Sequence, residues 1–162
     1  MVPELLKGVA HIAALESAEP GAILGGKFDR GETTLEIDAG RILPVCRYLH
    51  EAERFDRLAD LTAVDWLPRD PRFDIIYHLH STTRHLRLRL KCRVPDGAAE
   101  IDSVSSVWGS ADWHEREVFD LFGVAFRGHP NLRRIMMPDD WEGHPLRKDY
   151  PVFGQKYGYK DR

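Results

Sequence analysis

Two runs of alternating side chains, one on each side of a short polar turn, restrict this chain more than any other feature. Phe73, Ile75, Tyr77 and Leu79 alternate with Asp74, Ile76, His78 and His80. After Ser81-Thr82-Thr83, Leu86, Leu88, Leu90 and Cys92 alternate with Arg87, Arg89, Lys91 and Arg93. Side chains of a strand point to opposite faces in turn, so each run has one apolar and one polar face. Two such runs around a turn predict an antiparallel hairpin in a sheet covered on one side only. Pro95-Asp96-Gly97 closes the second strand.

The remaining elements are built around that hairpin. Leu5, Leu6, Val9, Ile12, Ala13 and Leu15 are helix-spaced and predict a helix over Glu4–Ser17, with Pro3 in its first turn and Pro20-Gly21 ending it. Ala22–Asp29 and Thr33–Ile37 read as two short strands joined by Arg30-Gly31-Glu32. Ile42, Val45, Tyr48, Leu49, Ala52 and Phe55 predict a second helix over Arg41–Leu58, with Pro44 early enough to be tolerated. A strand is expected over Leu61–Trp66 and a last helix over Ala111–Phe122, stopped by Gly123. The order predicts an α+β fold, a mixed, largely antiparallel sheet with helices on one face. The expected division is a core over residues 1–123 and an extended C-terminal arm over 124–162.

Composition excludes several classes. At 162 residues with 43% hydrophobic content, the chain is large enough for one ordinary core. A formal net charge of −3 gives no global pull toward nucleic acid or membrane surfaces. No apolar run approaches the length of a bilayer span, and the N-terminus shows no secretory signal pattern. Cys46 and Cys92 read as reduced thiols, and two cysteines do not supply the four that an iron–sulfur cluster usually takes.

Individual motifs favour plain readings. Gly21 to Gly26-Lys27 fits the front of a phosphate loop, but Phe28 stands where a hydroxyl is needed, and the order of helix and strand is reversed. The histidines lack a metal-binding pair at the required spacing, and His129 and His144 precede prolines that bias them toward extended backbone. Glu115, Glu117 and Asp120 have helical spacing suited to dipole and ion-pair roles rather than acid–base work. Arg87, Arg89, Lys91 and Arg93 form a cationic strand face without stacking aromatics, which suits solvent or an acidic neighbour better than nucleic acid.

After Gly123 the regular periods stop, while Arg, His, Trp and Tyr remain frequent. Long irregular segments of this kind are functional or disordered, and the aromatic and Arg content argues against disorder. An arm lying on a partner is the expected arrangement. The competing one packs Trp141, Tyr150 and Phe153 across the chain's own core.

The run Glu115-Arg116-Glu117-Val118-Phe119-Asp120-Leu121-Phe122-Gly123, continued by Gly128-His129-Pro130-Asn131-Leu132-Arg133-Arg134-Ile135, strongly resembles one peripheral-arm subunit family of NADH-quinone oxidoreductase, respiratory complex I, the family designated C. Trp141-Glu142-Gly143-His144-Pro145-Leu146-Arg147-Lys148-Asp149-Tyr150-Pro151 continues the resemblance, as do Asp60-Leu61-Thr62-Ala63-Val64-Asp65 and the Phe73, Tyr77, His78, Leu79 set. The resemblance implies a peripheral-arm subunit with no catalytic activity or redox centre of its own. FMN and iron–sulfur clusters would sit in partner subunits. It implies packing on the quinone-site subunit and near the cluster-bearing subunits, on the cytoplasmic side of the inner membrane. Related modules occur in membrane-bound hydrogenases and in dehydrogenases with other donors. The partner-contact candidates are Glu115, Arg116, Glu117, Asp120, His129, Arg133, Arg134, Trp141, His144, Arg147, Lys148 and Asp149. Arg133, Arg134 and Arg147 are expected to be solvated before assembly. A hydrolase using the histidines and a nucleic-acid module on Arg87–Arg93 are the competing classes.

Overall fold

The computed structural model describes residues 6–151. Three helices, α1 (Ala10–Ala18), α2 (Ile42–Glu51) and α3 (Ala111–Phe122), accompany seven strands: β1 (Ile23–Asp29), β2 (Glu32–Ile37), β3 (Arg57–Asp65), β4 (Phe73–Ser81), β5 (Leu86–Val94), β6 (Glu100–Asp102) and β7 (Ala125–Arg127). The main sheet has the order β1-β2-β5-β4-β3, antiparallel except for the β2–β5 pair. The fold is α+β with a mixed sheet, as the sequence implies.

The alternation in the hairpin sets the layers. Phe73, Ile75, Tyr77 and Leu79 are buried on one face with Leu88, Leu90 and Cys92, and α1 and α2 bring Ile12, Leu15, Ile42, Val45, Cys46 and Leu49 into the same core. Arg87, Arg89, Lys91 and Arg93 lie on the other face, which faces outward.

Two helix boundaries differ from expectation. Helix α1 begins only at Ala10, beyond Gly8, a residue that disfavours helix interiors. Helix α2 ends at Glu51, because Arg54 takes a positive φ of 58° and the chain turns there. Phe55 therefore reaches the core from a loop, and Leu58 from β3. That strand starts at Arg57 rather than Leu61, with a bulge between Leu58 and Asp60 that breaks its alternation. Two short strands have no counterpart in the sequence-based reading: β6 and β7 pair in parallel as a second, two-stranded sheet. Helix α3 has the expected bounds, and its C-cap Gly123 is left-handed at φ 74°. The chain does not leave the domain there, since Val124 and Phe126 are buried in the core.

Candidate partner-contact site on the C-terminal segment

The segment after Gly123 has few apolar side chains to bury, so its backbone polar groups need other partners. Asp120, on the last turn of α3 and 0% exposed, supplies them. Its Oδ2 accepts the backbone N–H groups of Ile135, Met136 and Met137 at 2.9, 2.7 and 2.8 Å. Its Oδ1 accepts Arg134 Nη1 at 2.5 Å. Burial alone would push this carboxyl up; the three N–H groups and Arg134 outweigh it and hold it below the usual carboxylate range.

Arg134 donates on to the carbonyls of Trp141 and Gly143, both at 3.0 Å. Arg116, also buried, donates to the carbonyls of Arg133 and Arg134, and its guanidinium lies over the Trp113 ring at 5.1 Å. His144 Nδ1 donates to the Asp120 carbonyl at 2.9 Å, and its ring lies so close to Gly123 that a Cβ there would meet it at 2.5 Å. Gly123 is thus required twice, for its left-handed φ and for this contact.

The far end of the segment is tied to the sheet. Arg72, 3% exposed, donates to both oxygens of Asp65 at 2.9 and 2.7 Å and to both oxygens of Asp149 at 3.1 and 2.6 Å. It also reaches Asp96 at 2.9 Å. Asp65 accepts the Lys148 N–H at 2.8 Å, and Arg72 holds the carboxyls of Asp65 and Asp149 below their usual range. Arg147 donates to the Phe122 carbonyl at 2.6 Å and lies over the Phe73 ring.

A third cluster surrounds Glu115, which accepts Ser103 Oγ at 2.6 Å and the Val104 N–H at 2.7 Å in a fully buried position. Burial pushes its carboxyl up to about 7; Ser103 and Val104 pull it down, and nearby Asp112 raises it. His129, its side chain fully buried, accepts the Asn131 N–H on Nδ1 and directs Nε2 at the carbonyl and carboxylate of Asp112.

The structure therefore sorts the sequence-derived candidates. Glu115, Arg116, Asp120, His129, Arg134, His144 and Arg147 bond within the chain's own fold. Arg134 and Arg147 differ from the expectation of solvated arginines, because backbone carbonyls freed at the end of α3 and in the following loops need donors. Glu117 and Arg133 are exposed, and neither side chain forms an ion pair among the described residues. Lys148 is exposed, Asp149 is half-exposed in its ion pair, and Trp141 is partly buried. The competing arrangement would place Trp141, Tyr150 and Phe153 on the chain's own core; Tyr150 instead covers Gly143 of the same segment and donates to the Glu142 carbonyl, while Phe153 lies outside the described residues. Arg72, the hub of the sheet-side tie, is absent from the sequence-derived set, since nothing local to Pro71-Arg72 signals a buried cation. Trp113, Met136 and Leu146, exposed by 59%, 59% and 52%, are also outside that set.

This α+β domain has counterparts among known proteins. The chain belongs to the family of the 30 kDa subunit of the respiratory-chain NADH dehydrogenase, whose model matches residues 35–156. Among its relatives is a protein of Geobacter sulfurreducens, the NADH-quinone oxidoreductase subunit designated C, which is 47% identical over 93% of this chain and 94% of that one. The protein of the same name from a Roseiflexus species is 44% identical over 95% and 90%. The trypsin-resistant fragment of Nqo5 superposes with a TM-score of 0.66 at 30% identity, covering 75% of this chain and 98% of that one. A chain of an archaeal respiratory membrane complex, the membrane-bound sulfane sulfur reductase, does so with a TM-score of 0.77 at 28% identity, covering 90% and 86%.

Proposed function

We propose that this chain is a cofactor-free structural and assembly subunit in the peripheral arm of a proton-translocating NADH-quinone oxidoreductase. The whole complex passes electrons from NADH through FMN and iron–sulfur clusters, held by partner subunits, to quinone. The family match over residues 35–156 carries the reading. No helix among the described residues is long and apolar enough to cross a membrane, so membrane attachment on this reading comes through partners, on the cytoplasmic side of the inner membrane. Cysteine chemistry supports the cofactor-free part. Cys46 and Cys92 are buried in the core, and burial pushes both thiols up, away from the thiolate that a cluster binds.

The C-terminal segment has two sides on this reading. Asp120, Arg134, His144, Arg147 and Arg72 give it a fixed shape on the subunit's own surface. Arg133, Trp141 and Lys148, with Glu117 on α3, then face the partners, chiefly the quinone-site subunit and neighbouring cluster-bearing subunits. A surface held rigid before docking loses less conformational entropy on binding. The test is purification of the complex from the native membrane through a tag on this chain, with the partners identified by mass spectrometry. Flavin- and cluster-bearing subunits are expected with it, and the separately purified chain should show no visible absorption band. Recovery of the chain alone, or stoichiometric flavin or cluster absorption in the pure chain, contradicts the proposal.

A further inference from the structure

The outward face of the main sheet has an organisation that the C-terminal segment does not explain. Strand register sets its side chains in rows. One row runs Arg57–His80–Arg87 across β3, β4 and β5, and the next runs Asp60–His78–Arg89–Thr34 on to β2. Apart from Thr34, these rows line a groove of about 490 Å³.

Most cations on this face are already matched. Arg89 pairs with Glu32, Lys91 and Arg93 pair with Glu36, and Arg69 pairs with Asp74. Arg57 and Arg87 differ: among the described residues neither has an ion pair. His80 stands between them, and the nearby Asp56 is bonded to the Thr82 N–H and hydroxyl. Beside the row, Arg89 Nε is buried without an acceptor. The groove thus holds two unmatched guanidinium groups on strands about 10 Å apart, twice the spacing of neighbouring strands.

We propose that this groove docks an acidic segment of another subunit, one in which Arg57 and Arg87 each receive a carboxylate. The guanidinium fork matches a carboxylate through two parallel hydrogen bonds, and acids two residues apart on one face of an extended segment lie about 7 Å from each other, within reach of two long side chains rooted about 10 Å apart. A membrane surface fits less well, because the cationic row is one residue deep and flanked by Asp60 and Glu32, while the chain carries a net charge of −3. Nucleic acid fits less well because no Phe, Tyr or Trp side chain lines the groove. The inference rests on the chain being an assembly subunit and adds a second docking surface, away from the C-terminal segment.

The experiment places a benzophenone amino acid at His80, and separately at the exposed Leu146 of the C-terminal segment, in the full chain within the membrane-bound complex, and maps crosslinks by mass spectrometry. From His80 the expected product is one segment of a neighbouring subunit bearing at least two Asp or Glu residues. Its yield should fall at least five-fold in the Arg57→Gln/Arg87→Gln variant. Crosslinks from His80 to lipid, to nucleic acid or to a segment without acids overturn the proposal, as does a yield unchanged in the double variant. Capture from Leu146 with none from His80 overturns the groove and leaves the assembly reading standing. Capture from neither position overturns both.

Discussion

Arg134 and Asp120 lie fourteen positions apart and meet at 2.5 Å, the arginine bridging the last turn of α3 to the carbonyls of Trp141 and Gly143. Asp120 at the same time receives three consecutive N–H groups. One carboxylate thus organises the first half of the C-terminal segment. Asp120→Asn removes the charge from a site where the guanidinium remains, and breaking a buried pair from one side costs roughly 3–5 kcal/mol. A urea midpoint for the Asn variant within experimental error of the parent's would show that the carboxylate is not structural.

The two faces of the central hairpin should respond differently. Leu88→Ala opens space in the core and is expected to cost roughly 2–5 kcal/mol. Arg93→Ala removes an exposed pair with Glu36 and should cost less than about 1 kcal/mol. Equal shifts of the unfolding midpoint would contradict the strand register.

Buried acids give stability two opposing dependences on pH. The Glu115 carboxyl sits at about 7 when folded, above its ordinary value near 4.3. The folded form therefore holds the proton more tightly. This contribution is fully present below about pH 4 and is lost as pH rises through 7, a difference of roughly 2–4 kcal/mol. Asp65 and Asp149 behave in the opposite sense. Their depressed folded values add stability above about pH 4 that is lost as pH falls. Glu115→Gln should flatten the decline between pH 5 and pH 7.5 in urea titrations. A variant curve parallel to the parent's across that window would count against the protonated buried carboxyl.

Much of the fold was legible because its signals are local. Alternation over Phe73–Arg93 and the helix over Ala111–Phe122 ending at Gly123 appear in the structure with nearly the same bounds. The α2–β3 boundary was obscured because Phe55 and Leu58 continue the helical spacing by coincidence, and the bulge before Asp60 interrupts the strand pattern. The strands β6 and β7 are three residues each, too short for a period to show. The candidate site was legible in composition but not in the direction of its side chains. Which arginine bonds inward depends on where carbonyls of distant loops end up, as with Arg72 and Asp149, 77 positions apart. Neighbouring Arg133 and Arg134 look alike in the sequence, and only the fold assigns one to solvent and the other to Asp120.

Truncation after Gly123 follows from the same geometry. It removes Val124 and Phe126 from the core, takes Arg134 and the Ile135, Met136 and Met137 N–H groups from the Asp120 carboxylate, and leaves Arg72 without Asp149. The shortened chain should melt well below the full one, with loss of far-ultraviolet circular dichroism at temperatures where the full chain stays folded. An unchanged melting temperature would mean that the segment contributes nothing to its own domain.

The division of the C-terminal segment into an inner brace and an outer contact face is tested most directly by Arg133→Glu and Arg134→Lys compared side by side. Both variants are scored for thermal stability of the isolated chain and for the fraction recovered in the membrane complex. Arg133→Glu should leave the melting temperature unchanged and lower incorporation about tenfold, equivalent to about 1.4 kcal/mol. Arg134→Lys should lower the melting temperature, because ammonium lacks the planar fork that serves Asp120, Trp141 and Gly143 together. Normal incorporation of Arg133→Glu, or a melting temperature that falls with it, would contradict the assignment of Arg133 to the partner.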